Sequence, residues 1–213
     1  MTYGEALGTL GDNTERVILQ LWEAVGRGDL DVETFRDLAA TLVARANAHG
    51  VILADLTLAG VTSVATGLPV VVASTPSAHY TDPERLARAL GTILGDDDGD
   101  RTERLARLAR SEPVETSQRA YTDGIKRSPL TEGWVRDLNG DACQLCTWWW
   151  RDGRVWPKDH EMPTHKGCRC VPVPTFRERV QDTEAIRRQR RRAEAQANRD
   201  RFDQQMRERT ERP

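Results

Sequence analysis

All four cysteines of the chain lie between Asp141 and Val173, in the order C-x-x-C and then H-x-x-C-x-C. Cys143 and Cys146 form the first pair, and His165, Cys168 and Cys170 form the second group. This is metal-ligand spacing. A tight C-x-x-C turn aims two thiolates at one point, and a second cluster about twenty residues on closes a tetrahedron around Zn²⁺. Five candidates compete for four places. Cys143 and Cys146 are the firm pair, and Cys168, Cys170 and His165 share the other two places. In an extended segment residues two apart point the same way, so Cys168 and Cys170 can both reach one ion. If only one does, His165 supplies the fourth ligand. Two disulfides, or four free thiols, are the alternatives. The N-terminal residues lack the basic segment and apolar core of a secretory signal, which argues against the oxidised form and for synthesis in the cytoplasm. His160, in a polar loop, reads as solvated.

A structural zinc site uses four protein ligands, whereas a catalytic one keeps a place for water. With five protein candidates there is little reason for an open position. The chain has no H-E-x-x-H, and no H-x-E with P-C-x-x-C of the deaminase kind. The expected role of the ion is to fold a segment too small to build its own core, a contribution on the order of 10 kcal/mol in such domains. Trp148, Trp149, Trp150 and Trp156 are expected to shield it.

The same residues resemble a known pattern. D-x-C-x-x-C, then D-G-R-V-W, then P-T-H-K-G-C-R-C-V-P-V is similar to the C-terminal signature of the Mu F-like phage minor capsid, or head morphogenesis, proteins. Glu115, Ala120, Gly124 and Trp134 resemble the helix and tryptophan that precede the cysteines in that family. The likeness runs from about Leu105 to Pro174, and the Trp148-Trp149-Trp150 run departs from the usual pattern. The resemblance implies a virion protein of the capsid interior, present in several copies at the portal vertex. Its partners would be the portal protein, the major capsid protein and packaged DNA, and its task head assembly and DNA packaging or ejection.

Net charge is −2, but it is unevenly spread. Residues 175–213 carry 12 Arg against 8 acidic residues, a net of +4, and the rest carries −6. An acidic body and a basic tail suggest two different surfaces. Arg187, Arg188, Arg190, Arg191 and Arg192 cluster in the tail and are candidates for contact with DNA phosphates; a solvated charged helix is the plainer reading. No apolar run reaches the roughly 18 residues of a membrane span, so no membrane partner is expected.

Helical periodicity dominates the first half. Residues 1–12 are glycine-rich and read as frayed, with Asn13 as N-cap of a helix carrying Val17, Leu21 and Val25 and ending at Gly26 and Gly28. Asp31 starts a longer helix over Val32, Phe35, Leu38, Ala39, Leu42, Val43 and Ala46. Gly50 is either a weak point in it or the break between two helices, and Gly67 ends the element. Val70 to Ala73 reads as a short strand or a connector. Asp82-Pro83 is a cap followed by a first-turn proline. Gly95 to Asp100 is an acidic linker that lacks the calcium-loop pattern. A further helix follows from Leu105, with a break at Glu112-Pro113 and an end near Gly124. Asp152-Gly153 predicts a type I′ hairpin over 148–156, with a strand over 169–173 beside it. From Phe176 the chain is polar on nearly all faces, as a solvated helix or a tail that orders on binding.

The expected fold is mainly α with a small β-containing C-terminal zinc knuckle (α+β). It comprises a helical region over 1–95, a Mu F-like core over 96–174 with the knuckle at 141–173, and a charged helix or tail over 175–213. Two other functions compete with a structural phage protein. A capsid maturation protease would need Ser63, Ser74, Ser77 or Ser117 paired with His49 or His79, and none sits in a G-x-S-x-G setting. A zinc-stabilised nucleic-acid-binding module would more often show two C-x-x-C pairs.

Overall fold

Helix caps set the frame. In the computed structural model, which describes residues 2–67, 69–71, 81–96, 100–177 and 184–210, α1 spans Tyr3–Arg27 and α2 spans Val32–Thr66. Thr2 caps α1 in a reciprocal box with Glu5, and Gly28 closes it in the left-handed region at φ 79°. Asp31 caps α2 by accepting from Thr34 N at 2.8 Å, and Gly67 ends it. Asp82 and Pro83 open α3, Pro83–Gly95, and Asp100 caps α4, Arg101–Arg127.

Two expectations fail here for one reason, close helix packing, and the same packing decides between the two readings of Gly50. Residues 3–12 are helical rather than frayed, because Gly4, Gly8 and Gly11 form a side-chain-free edge that lets other segments approach. A Cβ on Gly11 would lie 2.8 Å from the Arg110 carbonyl oxygen, and one on Gly8 would lie 3.0 Å from Arg169 Nη1. α2 runs unbroken through Gly50, where a Cβ would lie 2.8 Å from the Pro113 carbonyl oxygen. α4 in turn continues through Pro113 to Arg127. The proline removes one backbone donor, and packing against α2 and α1 outweighs the loss.

α4 is the central element and touches α1, α2, α3 and the sheet. Ile18, Phe35, Ala39, Val43, Leu86, Leu90, Ile93 and Leu105 fill the first core between the helices. α2 is long and apolar enough to cross a membrane by length and composition, a correction to the expectation that no such run exists. Phe35, Ala39, Val43, Ala54 and Leu58 along it are fully buried in the protein.

A three-stranded antiparallel sheet of order β2-β1-β3 follows α4, built from β1 (Thr131–Asp137), β2 (Val155–Pro157) and β3 (Val171–Phe176). β1 pairs Trp134 with Trp156 on one side and with Pro174 on the other. The predicted hairpin over 148–156 is absent. Instead Gln144–Trp150 forms a short helix, α5, and Arg151, Asp152 and Gly153 all take positive φ to turn the chain into β2. The strand after the last cysteine pairs with β1, not with β2. Trp134, fully buried with Ala54, Leu58, Tyr121, Ile125 and Met162, joins sheet to helices in a second core.

The protein is thus mainly helical with a small sheet, an α+β fold. Met1–Phe176 form one compact unit, so regions 1–95 and 96–174 lie together in it; Arg177–Pro213 form a second. The second unit contains helix α6, Glu184–Thr210. Most of the 70–80 connector, with Ser74, Ser77 and His79, and the centre of the acidic linker lie outside the described residues.

Candidate metal centre

Local structure explains how the cysteines meet. Cys143 sits at the N-cap of α5, so Cys146, one turn on, faces inward and is 1 % exposed. The 165–170 segment reaches the same place through a turn in which Cys168 N donates to His165 O at 2.9 Å, with Gly167 in the left-handed region at φ 81°. Cys146, Cys168 and Cys170 form a third buried cluster with Leu138, Ala142 and Trp149 against them.

All five predicted side chains converge. His165 Nε2 lies 3.1 Å from Cys143 Sγ and 3.2 Å from Cys146 Sγ, and Cys146 Sγ lies 3.4 Å from Cys168 Sγ. The ligand atoms fall into two overlapping groups, Cys143–Cys146–His165 and Cys146–Cys168–Cys170, each within 4.8 Å throughout. Cys146 belongs to both. None of the four cysteines is in a disulfide. Tetrahedral zinc with ordinary bond lengths needs roughly 3.8 Å between sulfurs and roughly 3.6 Å between sulfur and nitrogen. The donor types fit; the shortest contacts would expand slightly, and the two groups would draw together about the shared Cys146 to complete four ligands. The cluster can therefore hold a metal ion.

Electrostatics separate the thiols. Backbone N–H of Cys146, then its side chain, the N–H of Leu145 and the nearby His165 hold the exposed Cys143 thiol down to about 7. Burial pushes Cys146 up to about 12. A hydrogen bond from Cys170 lowers Cys168, and the same bond, with burial, raises Cys170. Cys170 Sγ also donates to Asn139 Oδ1 at 3.2 Å.

Two residues of the surround were not anticipated. Gln118 of α4 is buried, and its Nε2 donates to the carbonyls of Cys168 (2.9 Å) and Cys170 (2.7 Å), fixing the C-x-C segment from behind. Arg136 of β1 is equally buried, with Nη1 4.0 Å from Cys146 Sγ. The available signals were a glutamine on the apolar face of Val114, Ser117 and Tyr121, and the period-two alternation that puts Arg136 on the face of Trp134. Of the four tryptophans expected to shield the site, Trp149 does so, with its ring 6.1 Å from that of His165. Trp148 is 61 % exposed, and Trp156 packs in the second core. His160 is exposed and stacks on Trp156 at 4.5 Å.

The other predicted residues fall elsewhere. Ser117 is buried and donates to the Gly50 carbonyl, Ser63 Oγ accepts from Val70 N, and His49 is exposed on α2. Arg188, Arg191 and Arg192 are exposed on α6, and the side chains of Arg187 and Arg190 lie outside the described residues. No protein-family model, curated protein or solved structure matches this chain.

Proposed function

We propose that this chain is a non-enzymatic minor structural protein of a phage head, associated with the portal and held in shape by a structural zinc ion. The observation that carries the reading is that two separated segments bring together two Cys/His groups, Cys143–Cys146–His165 and Cys146–Cys168–Cys170, joined through the buried Cys146. Ligands drawn from both ends of the knuckle tie α5 to the β3 entry, as a fold-maintaining ion does. The order of those residues is the order of the Mu F-like signature. An interaction role is supported by Ile52, Leu56 and Val64, apolar side chains left exposed on α2. The charged α6 supports DNA contact near the portal, with Arg191 and Arg192 facing solvent.

Co-expression with the cognate portal protein, followed by purification and elemental analysis of the same sample, tests the proposal. Co-purification with about one zinc per chain is expected. A metal-free chain that binds portal equally well sinks the zinc assignment, and a zinc-loaded chain that ignores portal sinks the portal assignment. A truncation ending at Phe176 is expected to lose salt-sensitive DNA binding; retention of that binding removes the tail from the role.

A further inference from the structure

Among the described residues, Arg136 is the only charged side chain that is sealed from solvent, at 1 % exposure. β1 alternation points it to the same face as Trp134, but one step nearer the cysteines. Its Nη2 donates to the Pro163 carbonyl, its guanidinium carbon lies 5.3 Å from the Trp149 ring centroid, and its Nε has no hydrogen-bond partner. No carboxylate pairs with it among the described residues. A guanidinium does not lose its proton in proteins. Burying that charge without an anion is costly, and a carbonyl and a ring face do not neutralise it. Among its contacts, the group able to carry negative charge is Cys146 Sγ, 4.0 Å from Nη1. Cys146 is also the sulfur shared by both ligand groups.

We propose that Arg136 is the buried counter-ion of the metal–thiolate centre and thereby sets its composition at three thiolates, Cys146 among them, and one neutral imidazole, His165. The inference rests on the metal reading above. A divalent ion with three thiolates carries one net negative charge, which one guanidinium balances. Four thiolates would leave two negative charges against the single buried guanidinium. One of the four cysteines is then left outside the coordination sphere. Arg136 is a positioning residue: it touches a ligand and not the ion, and its Nη2 hydrogen bond to the Pro163 carbonyl fixes where the charge sits.

Cobalt(II) titration of the reduced full chain is the test, because its absorption counts thiolate ligands. Three thiolates are expected in the unaltered chain. Arg136→Met should weaken Co(II) binding at least about 10-fold, and Arg136→Lys, which keeps the charge, should lose less. In a Cys143→His background the centre is already neutral, so Arg136→Met should cost little further. An equal penalty in both backgrounds, or a four-thiolate spectrum in the unaltered chain, overturns the counter-ion role while leaving the metal centre intact. No Co(II) binding by the unaltered chain overturns the metal reading itself. The thiolate count needs no substitution, so it decides the matter even if Arg136→Met fails to fold.

Discussion

The Ser117 hydroxyl donates to the Gly50 carbonyl oxygen at 2.6 Å, across a close approach of α2 and α4. The Tyr3 hydroxyl lies 2.8 Å from the same Ser117 Oγ, so three helices meet on one oxygen. A Cβ on Gly50 would press on the Pro113 carbonyl at 2.8 Å and on Ser117 Cβ at 3.1 Å. Gly50→Ala should therefore destabilise by about 1–3 kcal/mol. Gly60, on the same helix but with nothing within 4 Å, should behave oppositely. There Gly60→Ala should stabilise by about 0.5–1 kcal/mol through helix propensity. Denaturant unfolding of the two variants checks both signs.

Trp134 is the pin between sheet and helices. It is fully buried, and its Nε1 donates to the His160 carbonyl at 2.9 Å. Trp134→Ala should cost about 3–5 kcal/mol, the usual range for an aromatic cavity, read from the shift in urea midpoint at constant slope.

In the metal-free, reduced chain Cys143 should be alkylated first. It is exposed and its thiol lies near 7, while Cys146, Cys168 and Cys170 are buried. Mass-spectrometric mapping should show its rate rising through about pH 7 as the thiolate forms, and saturating zinc should suppress it.

Metal affinity should fall as pH falls. Protons and metal compete for the same sulfurs, and below about 7 Cys143 is protonated in the free chain. The sign is fixed because the lowered thiol still gains a proton on acidification. Competition titration against a chromophoric chelator at pH 8 and pH 6 checks it.

Removing the metal should loosen the knuckle before the helices. Hydrogen exchange after chelation should speed up over 143–150 and 165–171. The amides around Phe35, Val43 and Leu90, in a core of their own, should stay protected.

Caps, helix periodicity and the ligand spacing are local signals, and for that reason were readable in the chain: Asp31, Gly67, Asp82-Pro83 and the five Cys/His residues. What escaped depended on partners distant in sequence. Gly4, Gly8 and Gly11 look like a frayed end until Arg110 and Arg169 are known to pack against them. Pro113 looks like a break, and Gly50 leaves one helix or two open, until it is known that they face each other. Asp152-Gly153 carries a hairpin signal, yet Trp148 to Trp150 extend the turn begun at Cys143 into helix and leave β2 to pair with β1. β1 itself, TEGWVRD, holds a glycine and three charges, because its neighbours supply the burial.

Asp12 of α1 forms an ion pair with Arg169, 157 positions later, beside the glycine edge that admits the arginine side chain. On the ribosome the Ile18 side of α1 can be covered once α2 and α4 have been made, but the edge at Gly4 and Gly8 stays open until Arg169 is added. Closure of that edge is consequently a late event, coupled in time to emergence of the final cysteines. Pulse-labelled nascent chains arrested before residue 165 should accordingly remain protease-sensitive near Gly4 and Gly8, while the Ile18 region is already protected by the helices that follow.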